Sequence, residues 1–136
     1  FVEKIMKTQV EFRSDKFPAY EGEEEEINPG LWGRRLAEYL TTKLKEKGIP
    51  IEDYFTEDWG YYLPIENKEF RLAICCGHQY GDDNEFLCFT EPRTPKVRKL
   101  FKKIDASEQL EKITKAMDEI LTSDPDIRDI QWIEAN

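Results

Sequence analysis

The sequence predicts an α+β fold: a small, mostly antiparallel sheet with two main helices packed on one face. Stretches that alternate apolar and polar side chains lie early, centrally and at the end of the chain, as half-buried strands do. Two other stretches repeat apolar residues every three or four positions, as amphipathic helices do. The connections between the central alternating stretches are too short for a parallel crossover, so those strands pair as an antiparallel meander.

Taken in order, Met6, Thr8, Val10 and Phe12 alternate with polar residues and predict a strand over 5–13, followed by a polar loop over 14–27. Asn28-Pro29-Gly30 reads as a helix start, because Asn is a good N-cap and Pro suits the first turn. Trp32, Leu36, Leu40 and Leu44 follow at spacing four with Ala37 beside them. Lys43, Lys45 and Lys47 suit the negative helix end, and Gly48 and Pro50 stop it, so a helix is expected over 29–47. Residues 51–58 form an acidic connection. Tyr61, Leu63 and Ile65, then Phe70, Leu72, Ile74 and Cys76, then 86–89, give the three meander strands, with turns at 66–69 and 81–84. Pro64 belongs on an edge or at a bulge.

Val97, Leu100, Phe101 and Ile104 stand at helical spacing and predict a short helix over 96–104. Asp105 and Glu108 resemble a capping pair ahead of a second long helix over 107–122, striped by Leu110, Ile113, Met117, Ile120 and Leu121. Asp124-Pro125 ends it, and IRDIQWI reads as a last strand. The expected order is β-α-β-β-β-α-α-β in one domain over 1–136.

The net charge of −9 argues against general nucleic-acid binding and suits a basic protein partner. No stretch has the 18 or so apolar residues of a membrane span, and no membrane partner is expected. Cys75, Cys76 and Cys88 make an odd count without a disulfide framework, so a reducing, cytoplasmic setting is expected.

Several clusters are candidates for chemistry. Cys76 and His78 share a strand face and Cys88 lies one strand away, but the paired spacing of a zinc site is missing, and buried inert cysteines are the commoner outcome. Glu57-Asp58-Trp59-Gly60 offers two carboxylates beside a large ring, either as a working site or as a loop-to-strand corner. Residues 91–103 hold six basic groups, leaving 14 basic and 28 acidic residues elsewhere. Such a stretch either contacts phosphate or RNA, or forms the solvated face of a helix. The phosphate-loop, dinucleotide, nucleophile-elbow and zincin motifs are missing, and no cofactor or metal is expected.

What remains is distribution. Acids gather in connections: Glu21 and Glu23, Glu24, Glu25 and Glu26, then Glu52 and Asp53, Glu57 and Asp58, then Asp82, Asp83 and Glu85. Tyr20, Tyr54, Phe55, Trp59 and Tyr80 sit among them. Aromatic anchors with a charged rim suit a protein-binding surface. The field at a helix start is worth about 0.3–1 kcal/mol per acid, and four glutamates in a row cannot all use it. The run is then wet loop, recruited to a binding face if the other acidic loops lie beside it.

Asn28-Pro29-Gly30 with Gly33, Leu36 and Ala37, followed by Glu57-Asp58-Trp59-Gly60, resembles a group of small uncharacterised bacterial α+β proteins with an NPG helix start and an EDWG-type corner. In size, acidity and layout the chain is also similar to toxin immunity proteins. That resemblance implies a non-enzymatic factor that occupies a basic surface of a partner protein. The expected partner-binding residues are Glu23, Glu24, Glu25, Glu26, Glu57, Asp58, Trp59, Asp82 and Asp83. The alternatives are a small metal-binding or hydrolytic enzyme centred on Cys76, His78, Glu57 and Asp58, and phosphate or RNA binding through 93–103.

Overall fold

The computed structural model describes residues 6–79 and 81–134; Ile5, at the start of the predicted first strand, and Tyr80 lie outside them. The elements are β1 (Lys7–Ser14), α1 (Glu23–Glu26), α2 (Arg34–Glu46), β2 (Phe55–Glu57), β3 (Gly60–Ile65), β4 (Leu72–His78), β5 (Glu85–Glu91), β6 (Lys96–Lys99), β7 (Lys102–Asp105), α3 (Ser107–Ser123) and β8 (Ile127–Glu134). Six strands form one sheet in the order β2-β3-β4-β5-β1-β8, and every neighbouring pair is antiparallel. The fold is α+β, as the sequence predicts.

Alternation decides which face is buried. Thr8, Val10, Phe12 and Ser14 of β1 point inward, as do Tyr61 and Leu63 of β3 and Phe86, Cys88 and Thr90 of β5. Leu36, Ala37, Leu40 and Leu44 of α2, with Leu110, Ile113, Met117, Ile120 and Leu121 of α3, close over that face. Fully burying side chains of this size contributes about 1.5–3 kcal/mol each, which is why two stripes and one sheet face must meet. Pro64 pairs with Ala73 on one side; on the other side β2 reaches only as far as Phe55 opposite Tyr62, so the missing N–H of Pro64 disrupts no ladder.

Four expected stretches differ: the polar loop expected over 14–27 contains α1, the acidic connection expected over 51–58 contains β2, and the helices expected over 29–47 and 96–104 take other forms. The helix expected over 29–47 spans Arg34–Glu46. Asn28-Pro29-Gly30-Leu31 is instead a tight turn, closed by the Leu31 N–H on the Asn28 carbonyl at 3.0 Å, with Gly30 at φ 82°. Pro followed by Gly suits the two central positions of such a turn as well as Pro suits a helix start, and here the turn wins. The helix expected over 96–104 is the hairpin β6–β7. Its i, i+3 and i+4 apolar spacing also places Val97 opposite Ile104 across a two-residue tip, and those two side chains pack on the core. Asp105 does meet the start of α3, accepting from the Ser107 N–H at 2.9 Å, while the N-cap position is Ala106.

Candidate functional site

The antiparallel register puts the last residues of β1, β2 and β4 and the first residues of β3, β5 and β8 at one end of the sheet. The segment 15–33, the corner 58–59 and the turn 81–84 therefore share that end. They carry most of the acidic connections that the sequence singles out.

Three glycines let these parts approach closely. A Cβ on Gly33 would stand 2.9 Å from the Gly77 Cα, and one on Gly60 would stand 2.5 Å from the Cys76 carbonyl oxygen. On Gly77 it would crowd the carbonyl oxygens of Trp59 and Trp32 and the Gly60 Cα at 3.2–3.3 Å. The start of α2 thus rests directly on the ends of β3 and β4. Gly77 in a strand interior is a sequence signal for such an approach.

Hydrogen bonds then join the loops. The Asn28 side-chain amide donates to the Asp58 carbonyl at 2.7 Å, so the NPG turn and the EDWG corner meet in space. The His78 backbone N–H donates to the Trp32 carbonyl at 2.6 Å. The His78 ring is buried and lies flat on the Trp32 indole, with centroids 3.6 Å apart and planes 5° from parallel. Its Nδ1 faces the Gly30 carbonyl at 2.7 Å and its Nε2 the Asp82 carbonyl at 2.9 Å. Both partners are carbonyl oxygens, which accept, and the tautomer decides which ring nitrogen donates. His78 thereby bridges the 28–31 turn and the 81–84 turn.

The glutamate run divides residue by residue. Glu23 is 1% exposed. Its Oε2 accepts from the N–H groups of Gly33 at 2.7 Å and Arg34 at 2.9 Å, and from the Tyr61 hydroxyl at 3.2 Å; its Oε1 accepts from the Tyr20 N–H at 3.0 Å. It caps α2, whose own N-cap position, Gly33, offers no side chain. Burial first, then the neighbouring Glu23 carboxylate, push Tyr61 up to about 12, so the phenol stays a donor. Glu24 accepts from the Gly30 N–H at 2.7 Å, and Glu26 pairs with Arg34 at 2.6 Å. Glu25 is exposed and has no ion pair among the described residues.

Of the predicted partner-binding residues, Glu24, Glu25, Glu26, Asp58, Asp82 and Asp83 are exposed at this end. Asp82 shares Arg13 with Glu85, at 3.1 Å in its own case. Glu24 and Asp83 line one cleft of about 370 Å³ with Ser14, Asp15, Trp32 and Asn84. Glu57 is exposed opposite Gly60 on the edge hairpin. Two expected residues are placed elsewhere. Glu23 faces the interior, where four donors hold it. Trp59 is half-buried, with its ring against Phe89 at 5.6 Å. Phe89 belongs to the outward-facing set of β5, so the indole lies on the outer sheet face.

Cys75 and Cys76 are held as thiols. Cys76 and Cys88 face each other across β4 and β5 on the core side; the Cys88 contact and then burial raise Cys76 well above the ordinary thiol range. Burial pushes Cys75 up to about 12. A thiol so raised is a poor nucleophile at neutral pH, and both nitrogens of His78 are already engaged. Among the described residues, no group of three His, Cys, Asp or Glu side chains is placed to hold a metal ion.

What this end of the molecule can do is present a fixed array of carboxylates on loops locked by buried groups. No local signal marks the Trp32–His78 stack, since the two residues lie 46 positions apart. Comparison with protein-family models, with characterised proteins and with solved structures finds no match to this chain.

Proposed function

We propose that this chain is a non-catalytic binding protein of the inhibitor or immunity type, whose acidic end occupies a basic surface of a partner protein. The observation that carries the reading is the convergence of three acidic connections on one end of the sheet, tied by Asn28 to Asp58 and by His78 to Gly30 and Asp82. A pre-organised array loses little freedom on binding, and its field speeds the approach of a basic partner. Glu25, Asp58 and Asp83 are exposed and take part in no ion pair among the described residues, so their charge is open to a partner.

The experiment begins with retention of a basic protein on the immobilised chain at low salt. Association of that protein is then compared between the native chain and the variant Glu25→Gln/Asp58→Asn/Asp83→Asn. Association slowed about tenfold, with a flatter dependence on salt, is the expected result. An unchanged association rate removes the acidic end from the interface and overturns the reading.

A further inference from the structure

The hairpin β6–β7 breaks three local rules at once. Its tip residues, Leu100 and Phe101, are 87% and 105% exposed. Leu100 has φ 56°, the left-handed conformation that a two-residue hairpin tip normally fills with Asn, Asp or Gly. Arg98 stands directly opposite Lys103, and Lys99 opposite Lys102, so two like-charged pairs face each other across the ribbon. Arg98, Lys102 and Lys103 have no acidic partner among the described residues, and the Lys99 ammonium reaches only the Glu69 carbonyl at 3.5 Å. Among the described residues, no ion pair on Arg98, Lys102 or Lys103 offsets these costs. The ribbon needs only Val97 and Ile104 to root it on the core. Local choices that oppose folding without a structural gain are the mark of a working site.

We propose that this hairpin is a docking element for the anionic face of a lipid bilayer. Leu100 and Phe101 enter the interface between headgroups and acyl chains, while Arg98, Lys99, Lys102 and Lys103 meet the lipid phosphates and carboxylates. The shape favours this occupant. The apolar pair is a convex point with cations behind it on both strands, which fits a continuous negative surface over an apolar interior. Long cationic side chains extend outward from such a position to reach headgroups. No helix among the described residues is long and apolar enough to cross a membrane.

Charge placement supports the same orientation. The ribbon follows the far end of β5 and touches the β3–β4 connection at Glu69, at the opposite end of the sheet from the acidic loops. With the hairpin cations at one end and Glu25, Asp58 and Asp83 at the other, an anionic membrane draws the hairpin toward it, against the exposed Glu66 and Glu69 of the β3–β4 connection. The two ends use different residues, so this proposal stands or falls separately from the acidic-end reading.

The test is co-sedimentation of the full chain with phosphatidylcholine vesicles, with or without about 30% phosphatidylserine, in about 0.1 M salt. Binding to the phosphatidylserine vesicles alone is expected. It should weaken about tenfold in Leu100→Ser/Phe101→Ser and again in Lys102→Gln/Lys103→Gln. Both pairs are exposed, and thermal melting checks that each variant folds. A Phe101→Trp variant should shift its tip fluorescence to the blue on the anionic vesicles; the native tryptophans in the unsubstituted chain give the baseline. No binding to anionic vesicles overturns the proposal. So does binding that survives loss of both apolar tip residues, since charge alone then suffices. Retention of an RNA oligonucleotide, or of a second copy of the chain, in place of vesicles assigns the hairpin to that partner and overturns it equally.

Discussion

The imidazole of His78 lies on the indole of Trp32 with ring centroids 3.6 Å apart and planes 5° from parallel. That stack is the pin on which two loops turn. Its upper partner, Trp32, is fixed by an Nε1–H bond to the Phe17 carbonyl at 3.1 Å, and its lower partner holds one carbonyl from each loop. His78→Phe keeps the ring and removes both polar contacts. Backbone amides of 28–31 and 81–84 should then exchange with solvent faster, while those of β4 and β5 stay protected; hydrogen exchange read by mass spectrometry checks it. Equal exchange in both proteins would show that the loops hold without the histidine.

Glu23 and Glu25 stand two positions apart in the same run and should behave as opposites. Glu23→Ala leaves the N–H groups of Gly33, Arg34 and Tyr20 without their acceptor and should cost about 2–3 kcal/mol, with Glu23→Gln costing about half of that. Glu25→Gln should change stability by less than about 0.5 kcal/mol. Urea unfolding of the three variants decides it.

Asp124 ties the end of α3 to the other helix and to the first loop. Burial disfavours its charge, but bonds from Lys16 and the Tyr39 hydroxyl, each at 2.7 Å, and from the Asp126 N–H outweigh that and lower it to about 2. A folded value below the usual carboxylate value stabilises the fold above about pH 4, and that contribution is lost as pH falls toward 2. Asp124→Asn should therefore be less stable at pH 6, on the order of 1 kcal/mol given the solvent that reaches Lys16. The gap between the two proteins should close on acidification to about pH 2, as read by melting temperature across that range.

The glycines separate in the same way. Gly60→Ala drives a methyl to within 2.5 Å of the Cys76 carbonyl at φ 151°, and should destabilise by about 3 kcal/mol or more. Gly48→Ala meets nothing within 4 Å and bears only the strain of φ 79°, about 1–2 kcal/mol. Reversal of that order in denaturant melts would mean that the β3–β4 end relaxes freely.

All three thiols should be silent toward an aromatic disulfide reagent at pH 8 in the folded protein and react fully in denaturant. Burial and the Cys88 contact hold Cys75 and Cys76 far from the thiolate form. Rapid reaction of any one in the native state would reopen the nucleophile reading.

How far the sequence reaches is visible in particular residues. Leu36, Leu40 and Leu44 declare a helix because spacing four on a helix is a face, and the face must be buried. The strands of the meander declare themselves by alternation and by turn residues between them. At 96–104 the same kind of periodicity misleads, because Val97 and Ile104 meet equally well across a hairpin as along a helix. The candidate site was legible as composition only. Acidic letters mark the loops, but whether a loop lies beside another depends on strand order, and the sequence does not carry strand order in any local signal. Nor could it separate Glu23 from Glu24, since what distinguishes them is the direction each faces from α1.

The four glutamates between Gly22 and Ile27 look like a repetitive stretch, yet the fold treats them as a ruler. Glu23 must stand under Gly33 while Asn28, five residues on, stands over Asp58. The four letters are identical, but their number is not free. Loss of one glutamate removes a single charge from an already acidic chain and also a single step of backbone. It is the missing step that the molecule registers, because the cap on α2 and the clasp on the β2–β3 corner are set at the two ends of that measured distance.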